Sequence, residues 1–127
     1  MSKNKKRLSK VAAVLTERAV PNNIIQRLAS IVALANYYQL ELEIRKQLLH
    51  YPSSAILFKM LALSLNLQGK DALDPALRAA ELAPNDPQVF NNLGNAYIRL
   101  GLYPEAIAAF FLMRCALSRM IQRLTLT

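Results

Sequence analysis

The sequence predicts an all-α protein built from helical hairpins. Its 127 residues are 54% hydrophobic and include only three glycines. β-branched residues do not form the alternating runs that are typical of strands. Apolar residues instead recur at spacings of three and four, which places them on one face of a helix. One helix–turn–helix pattern can also be laid over the chain more than once, which indicates a repetitive fold.

The clearest hairpin occupies residues 87–110. Phe90, Leu93 and Tyr97 stand at helical spacing and form one apolar stripe. Gly101 follows the stripe, where a glycine ends a helix by adopting the left-handed conformation. The segment is therefore predicted to fold as two antiparallel helices joined by a tight turn.

Small residues are expected to set how closely these two helices approach. Gly94 lies beside the apolar stripe, and its lack of a side chain lets the second helix come near. Ala106 is expected to face Gly94, and Phe110 to close the wedge one turn later. Pro104 suits the first turn of the second helix, and Glu105 is favourable near the positive end of its dipole.

These residues resemble the signature of the tetratricopeptide repeat (TPR) family. That signature is W-x2-L-G-x2-Y, then A-x3-F and a proline, over about 34 residues. Phe90 stands in place of the tryptophan, the final proline is missing, and the other marked positions are filled. The resemblance implies a right-handed α-α superhelix, a TPR solenoid, of about three helical hairpins plus an N-terminal helix.

Alignment with the clearest hairpin divides the chain into three repeats. They are predicted at about residues 21–54, 55–86 and 87–120, within a TPR domain of residues 8–127. Phe58 and Gly69 stand 32 residues before Phe90 and Gly101, two residues short of the usual repeat length. Ala35 takes the position of the turn glycine in the first repeat, which is therefore degenerate. The third repeat is expected to start on Asp86 as N-cap with Pro87 at the first helical position.

The two ends of the chain are basic. The net charge is +8, with five Lys or Arg residues before residue 11 and three after residue 113. Residues 1–7 are predicted to be a disordered basic leader, and Leu8–Val20 a short helix. A basic tail can touch nucleic acid or an anionic lipid surface. Because no aromatic or glycine-rich nucleic-acid motif accompanies it, nucleic-acid binding is not expected.

The C-terminal segment departs from the family pattern after Phe110. No proline follows, and the segment is rich in apolar residues up to Leu126. Solenoids normally end in a polar capping helix. Three alternatives remain open: a long last helix that folds onto the third repeat, a helix that docks on a partner or a second copy, or the front of a longer array.

Catalysis, cofactors and metal binding are not predicted. His50 is the only histidine, no phosphate-binding glycine loop is present, and Cys115 is the only cysteine, so no internal disulfide can form. Glu41 and Glu43 are expected to face solvent. No apolar run approaches the roughly 18 residues of a membrane span, and no secretory signal peptide is recognised. A cytoplasmic, non-enzymatic protein is therefore predicted.

The resemblance implies a scaffold that binds a protein partner. In TPR arrays the first helix of each repeat lines a concave groove, and asparagine suits such a groove because its side chain both donates and accepts hydrogen bonds. The predicted peptide-groove residues are Gln26, Lys59, Asn66, Asn91, Asn92, Asn95 and Arg99. The alternative is a TPR accessory domain or N-terminal fragment of a larger enzyme, such as a glycosyltransferase or methyltransferase. Self-association through the C-terminal helix is a further expectation, and the partner's identity does not follow from the sequence.

Overall fold

The computed structural model describes residues 19–126, which fold into six α-helices and contain no strand. The helices are α1 (Asn22–Ala33), α2 (Tyr37–Leu48), α3 (Ala55–Leu67), α4 (Leu73–Leu82), α5 (Pro87–Arg99) and α6 (Tyr103–Leu126). This confirms the all-α fold of helical hairpins. The predicted basic leader and all but the last two residues of the predicted helix Leu8–Val20 lie outside the described residues.

Each helix packs on the next helix in the chain, and α3 also contacts α5. One continuous hydrophobic core results, to which every helix contributes. Its most deeply buried large side chains are Leu28, Leu40, Ile44, Leu57 and Val89. Because α3 and α5 lie side by side, their outward residues form one shared surface.

The turns after α3 and α5 have the same geometry. Gly69 and Gly101 both have a φ near +75°, in the left-handed region that favours glycine. At the second turn the N–H of Leu102 donates to the carbonyl of Tyr97 at 2.9 Å, which closes the helix end. The prediction that Gly101 ends its helix is confirmed.

Ala35 occupies the corresponding turn after α1, with a φ of 54°. Its N–H donates to the carbonyl of Val32 at 2.9 Å, so the turn forms without a glycine. A left-handed conformation is strained for a residue with a Cβ atom.

The substitution Ala35→Gly is therefore expected to stabilise the protein by roughly 0.5–1 kcal/mol, because relief of strain exceeds the added entropy of the unfolded chain. Urea unfolding measures the change. Ala29→Gly is the matched control, since Ala29 is exposed in the interior of α1 and the same replacement there should cost about 1 kcal/mol. Destabilisation by both variants would contradict a strained turn.

Gly94 on α5 packs against Phe110 on α6. A Cβ atom on residue 94 would lie 2.5 Å from Cε1 of Phe110, and the nearest atoms to that position all belong to the Phe110 ring. Ala106 is also buried, and its position facing Gly94 stays a prediction. The glycine therefore accommodates an aromatic ring.

Candidate functional site

A cavity of about 350 Å³ lies where α3 and α5 run side by side. It is lined by Asn66, Leu67, Asn95, Ile98 and Arg99. Three of these residues, Asn66, Asn95 and Arg99, were predicted as groove residues from the sequence. They come from the last turns of α3 and α5, so the side-by-side packing of these two helices brings them together.

Asn66 links the two helices and also presents an acceptor. Its Nδ2 donates to the main-chain carbonyl of Asn92 at 3.0 Å. Its Oδ1 is buried and has no hydrogen-bond partner among the described residues. The carboxamide is therefore held by its bond to α5, and Asn66 contributes to the wall of the cavity.

Arg99 places a positive charge beside the cavity. Its Nη1 donates to the carbonyl of Gly69 at 2.8 Å, which ties α5 to the α3–α4 turn. A guanidinium has five N–H groups in a fixed fork, and this bond uses one of them. The side chain is exposed, so the remaining donors are within reach of a ligand.

Asn92 and Lys59, two other predicted groove residues, hold α3 and α5 together and do not line the cavity. Asn92 is buried, and its Nδ2 donates to the carbonyl of Lys59 at 3.2 Å. The Lys59 ammonium pairs with Asp86 at 2.7 Å, and Asp86 in turn caps the start of α5. The described contacts of Asn92 and Lys59 therefore hold α3 and α5 together.

Gln26 and Asn91 are exposed and lie outside the cavity. Gln26 is on α1, where its carbonyl accepts a bond from the hydroxyl of Ser30. Asn91 is on α5, between the capped start of the helix and the cavity. Their role in ligand contact stays a prediction.

The expectation that Glu41 and Glu43 face solvent is wrong, because both carboxylates are buried. Glu41 accepts bonds from Lys70 and Gln68 at 3.0 Å each and from Arg45 at 3.0 Å. Lys70 and Gln68 belong to the α3–α4 turn, so their bonds to Glu41 connect α2 to the second hairpin. Among these partners, only Arg45 could be recognised in the sequence, by its spacing of four from Glu41.

Glu43 connects α2 to α1 in the same way. It accepts a charge-assisted bond from Arg27 and pairs with Lys46 at 3.5 Å. The Arg27 bond is the main cause of a lowered Glu43 pKa, and burial opposes it. For Glu41 burial is the largest single effect and raises the pKa, but the bonds from Lys70, Arg45 and Gln68 together lower it below its usual value.

These lowered pKa values predict acid sensitivity. A carboxylate with a depressed folded-state pKa stabilises the protein above its unfolded pKa of about 4.3, and this stability is lost as the pH falls through the folded-state value. The urea midpoint is therefore expected to hold between about pH 7 and 5 and to fall below about pH 4.5.

The double variant Glu41→Gln/Glu43→Gln is the control for this prediction. Each replacement should cost about 1–2 kcal/mol at neutral pH, because a charged acceptor is replaced by a neutral one. The stability gap between wild type and variant should then close as the pH falls below about 4. A gap that stays constant would show that these carboxylates are not responsible.

A family model described as tetratricopeptide repeat matches residues 76–108. The matched segment begins in α4, includes all of α5 and its turn, and ends in the first part of α6. Searches of curated proteins and of solved structures gave no match. The resemblance is confirmed: residues 76–108 carry a tetratricopeptide repeat within an all-α helical repeat fold.

Tetratricopeptide repeats are generally non-catalytic modules of protein interaction, so the match indicates a protein-interaction repeat module. Within residues 19–126, no helix is both long and apolar enough to cross a membrane. The same residues contain no group of three or more His, Cys, Asp or Glu side chains able to hold a metal ion.

Proposed function

We propose that this protein binds an extended peptide segment of a partner protein in the groove along α3 and α5. The cavity lined by Asn66, Asn95 and Arg99 is the centre of this groove. The observation that carries the proposal is that three residues selected by sequence pattern share one cavity of about 350 Å³.

The lining matches the chemistry of a peptide main chain. The exposed Asn95 carboxamide can donate to a peptide carbonyl and accept from a peptide N–H at the same time. Arg99 supplies donors for a peptide carbonyl or carboxylate. Leu67 and Ile98 give apolar walls for a small side chain of the peptide.

The four predicted groove residues that do not line the cavity have other roles in this proposal. Asn92 and Lys59 keep α3 and α5 in register, so their loss would change the groove indirectly. Gln26 and Asn91 would extend the contact surface beyond the cavity.

The test is a selection from a display library of random peptides, followed by affinity measurements on the enriched peptides. Asn95→Ala and Arg99→Ala are each expected to weaken binding by about tenfold, the typical cost of a lost polar contact at an interface. Gln88→Ala is the matched control, since Gln88 is an exposed amide on α5 that does not line the cavity.

Circular dichroism must show unchanged helicity in each variant. Peptides that bind wild type and both cavity variants equally well would refute the proposed site. The alternative of an accessory domain or fragment of a larger glycosyltransferase or methyltransferase stays a prediction, since the described residues favour no particular reaction.

A further inference from the structure

The outer side of α6 carries a line of apolar side chains with an arginine at its centre. We call it the α6 seam, and it consists of the exposed residues Ile107, Phe111, Arg114, Leu117 and Ile121. The steps of three and four between these residues place them on one face of the helix. A cavity of about 340 Å³ lies on the seam, lined by Ile107, Phe110, Phe111, Met113 and Arg114. Contiguous exposed apolar patches are typical of interaction sites.

The internal repeat shows what kind of element covers such a face. The repeat pattern aligns Ala72, the N-cap of α4, with Ala106 of α6, an offset of 34 residues, and both alanines are buried. α4 is packed by both α3 and α5, whereas α6 contacts, among the six described helices, only α5, the counterpart of α3. In this alignment the seam residues Ile107, Arg114 and Leu117 correspond to Leu73, Ala80 and Ala83, which are partly buried against the core.

Side-chain exposure agrees with this equivalence. Phe111 is 64% exposed, whereas its counterpart Leu77 on α4 is 37% exposed. Ile107 is 70% exposed, whereas its counterpart Leu73 is half-buried and packs against the core. A helix laid along the seam, as α5 is laid along α4, would cover the same positions.

Arg114 defines the chemistry of that helix. A helix that covers the seam removes water from the guanidinium, which is costly unless a carboxylate pairs with it. No acidic residue follows Glu105 in the chain, so α6 itself carries no carboxylate within reach of the middle of the seam. We propose that the α6 seam binds an amphipathic helix of a partner protein that has an Asp or Glu at the centre of its apolar stripe.

The same arginine argues against two other occupants. A second copy joined seam to seam by a two-fold axis would bring Arg114 of one copy close to Arg114 of the other, and buried like charges repel. A lipid surface would draw the middle of the apolar face into the acyl layer, where a central arginine is unfavourable. An acidic helix satisfies both the apolar residues and the charge.

The test uses two synthetic helical peptides of three heptads each. They share one leucine stripe and differ only at one residue in its centre, which is Glu in one peptide and Lys in the other. Fluorescence anisotropy is expected to show about tenfold tighter binding of the Glu peptide, because an interfacial charge pair is matched in one case and opposed in the other. In Arg114→Glu the preference should reverse and favour the Lys peptide.

Two further variants locate the binding surface. Phe111→Glu should abolish binding of the Glu peptide, and Leu49→Glu should not change it, since Leu49 is 83% exposed at the end of α2. Asn95→Ala should also leave binding unchanged, which separates this surface from the groove proposed above. Circular dichroism confirms that each variant is folded.

Three results would overturn the proposal. One is equal binding of the two peptides, or a preference that Arg114→Glu does not reverse. Another is a dimer in sedimentation velocity that Phe111→Glu dissolves, which would assign the seam to a second copy. The last is flotation with vesicles containing phosphatidylserine that Phe111→Glu abolishes, which would assign the seam to a membrane surface.

Discussion

Replacement of Phe90 by alanine is expected to lower the free energy of unfolding by about 3–5 kcal/mol. Phe90 is 7% exposed and belongs to the continuous core, between the first and last turns of α5. The loss combines the transfer free energy of the ring with the cost of the cavity left behind. Since single domains are stable by only about 5–15 kcal/mol, this one change removes much of the total.

Phe111→Ala is the matched control for Phe90→Ala, because it removes the same ring from an exposed site on α6. Its expected cost is within about 0.5 kcal/mol, as for other surface substitutions. Urea unfolding followed by circular dichroism compares the two variants. Similar midpoints for both would contradict the placement of Phe90 in the core.

The parts of the fold that were predicted correctly are those set by neighbouring residues. Gly101 ends α5 because a tight helix end needs a positive φ, and this can be read from one residue and its position. Asp86 caps α5 and Pro87 starts it, again a matter of adjacent residues. Ala35 could be aligned with the turn glycine for the same reason.

The parts that were not predicted depend on residues far apart in the chain. Glu41 is buried because Lys70 and Gln68, on a different hairpin, reach its carboxylate. Only the partners on the same helix as these acids, Gln39, Arg45 and Lys46, could be read from spacing. Glu41 and Lys70 are far apart in the sequence, so their contact could not be read from spacing. It forms because α2 packs next to the α3–α4 turn.

At the candidate site, too, the sequence could not show which residues are covered by a neighbouring helix. Asn92 and Asn95 are three residues apart on α5, and both were predicted to face the groove. The structure buries Asn92 against α3 and leaves Asn95 exposed at the cavity. Residues three apart on a helix differ by about 60° in direction, so which one is covered depends on where α3 lies. That position is set by the packing of the whole repeat.

The contact between Gly94 and Phe110 leads to the second prediction of large effect. Gly94→Val is expected to destabilise the protein by roughly 2–3 kcal/mol, because the new side chain would occupy the space of the ring and overpack the α5–α6 contact. A Cβ atom alone would lie 2.5 Å from Cε1 and 2.6 Å from Cζ of Phe110. Gly94→Ala should cost less, about 1 kcal/mol, since alanine also favours the helix.

A double-mutant cycle with Phe110→Leu isolates this contact. In wild type, Phe110→Leu should cost about 1 kcal/mol through lost packing. In the Gly94→Val background the smaller leucine makes room for the valine, so the same change should be neutral or stabilising. The expected coupling energy is about 1–2 kcal/mol, measured from urea midpoints of the four proteins. Additive effects would mean that Phe110 moves away freely, and that the glycine is not what allows α5 and α6 to pack closely.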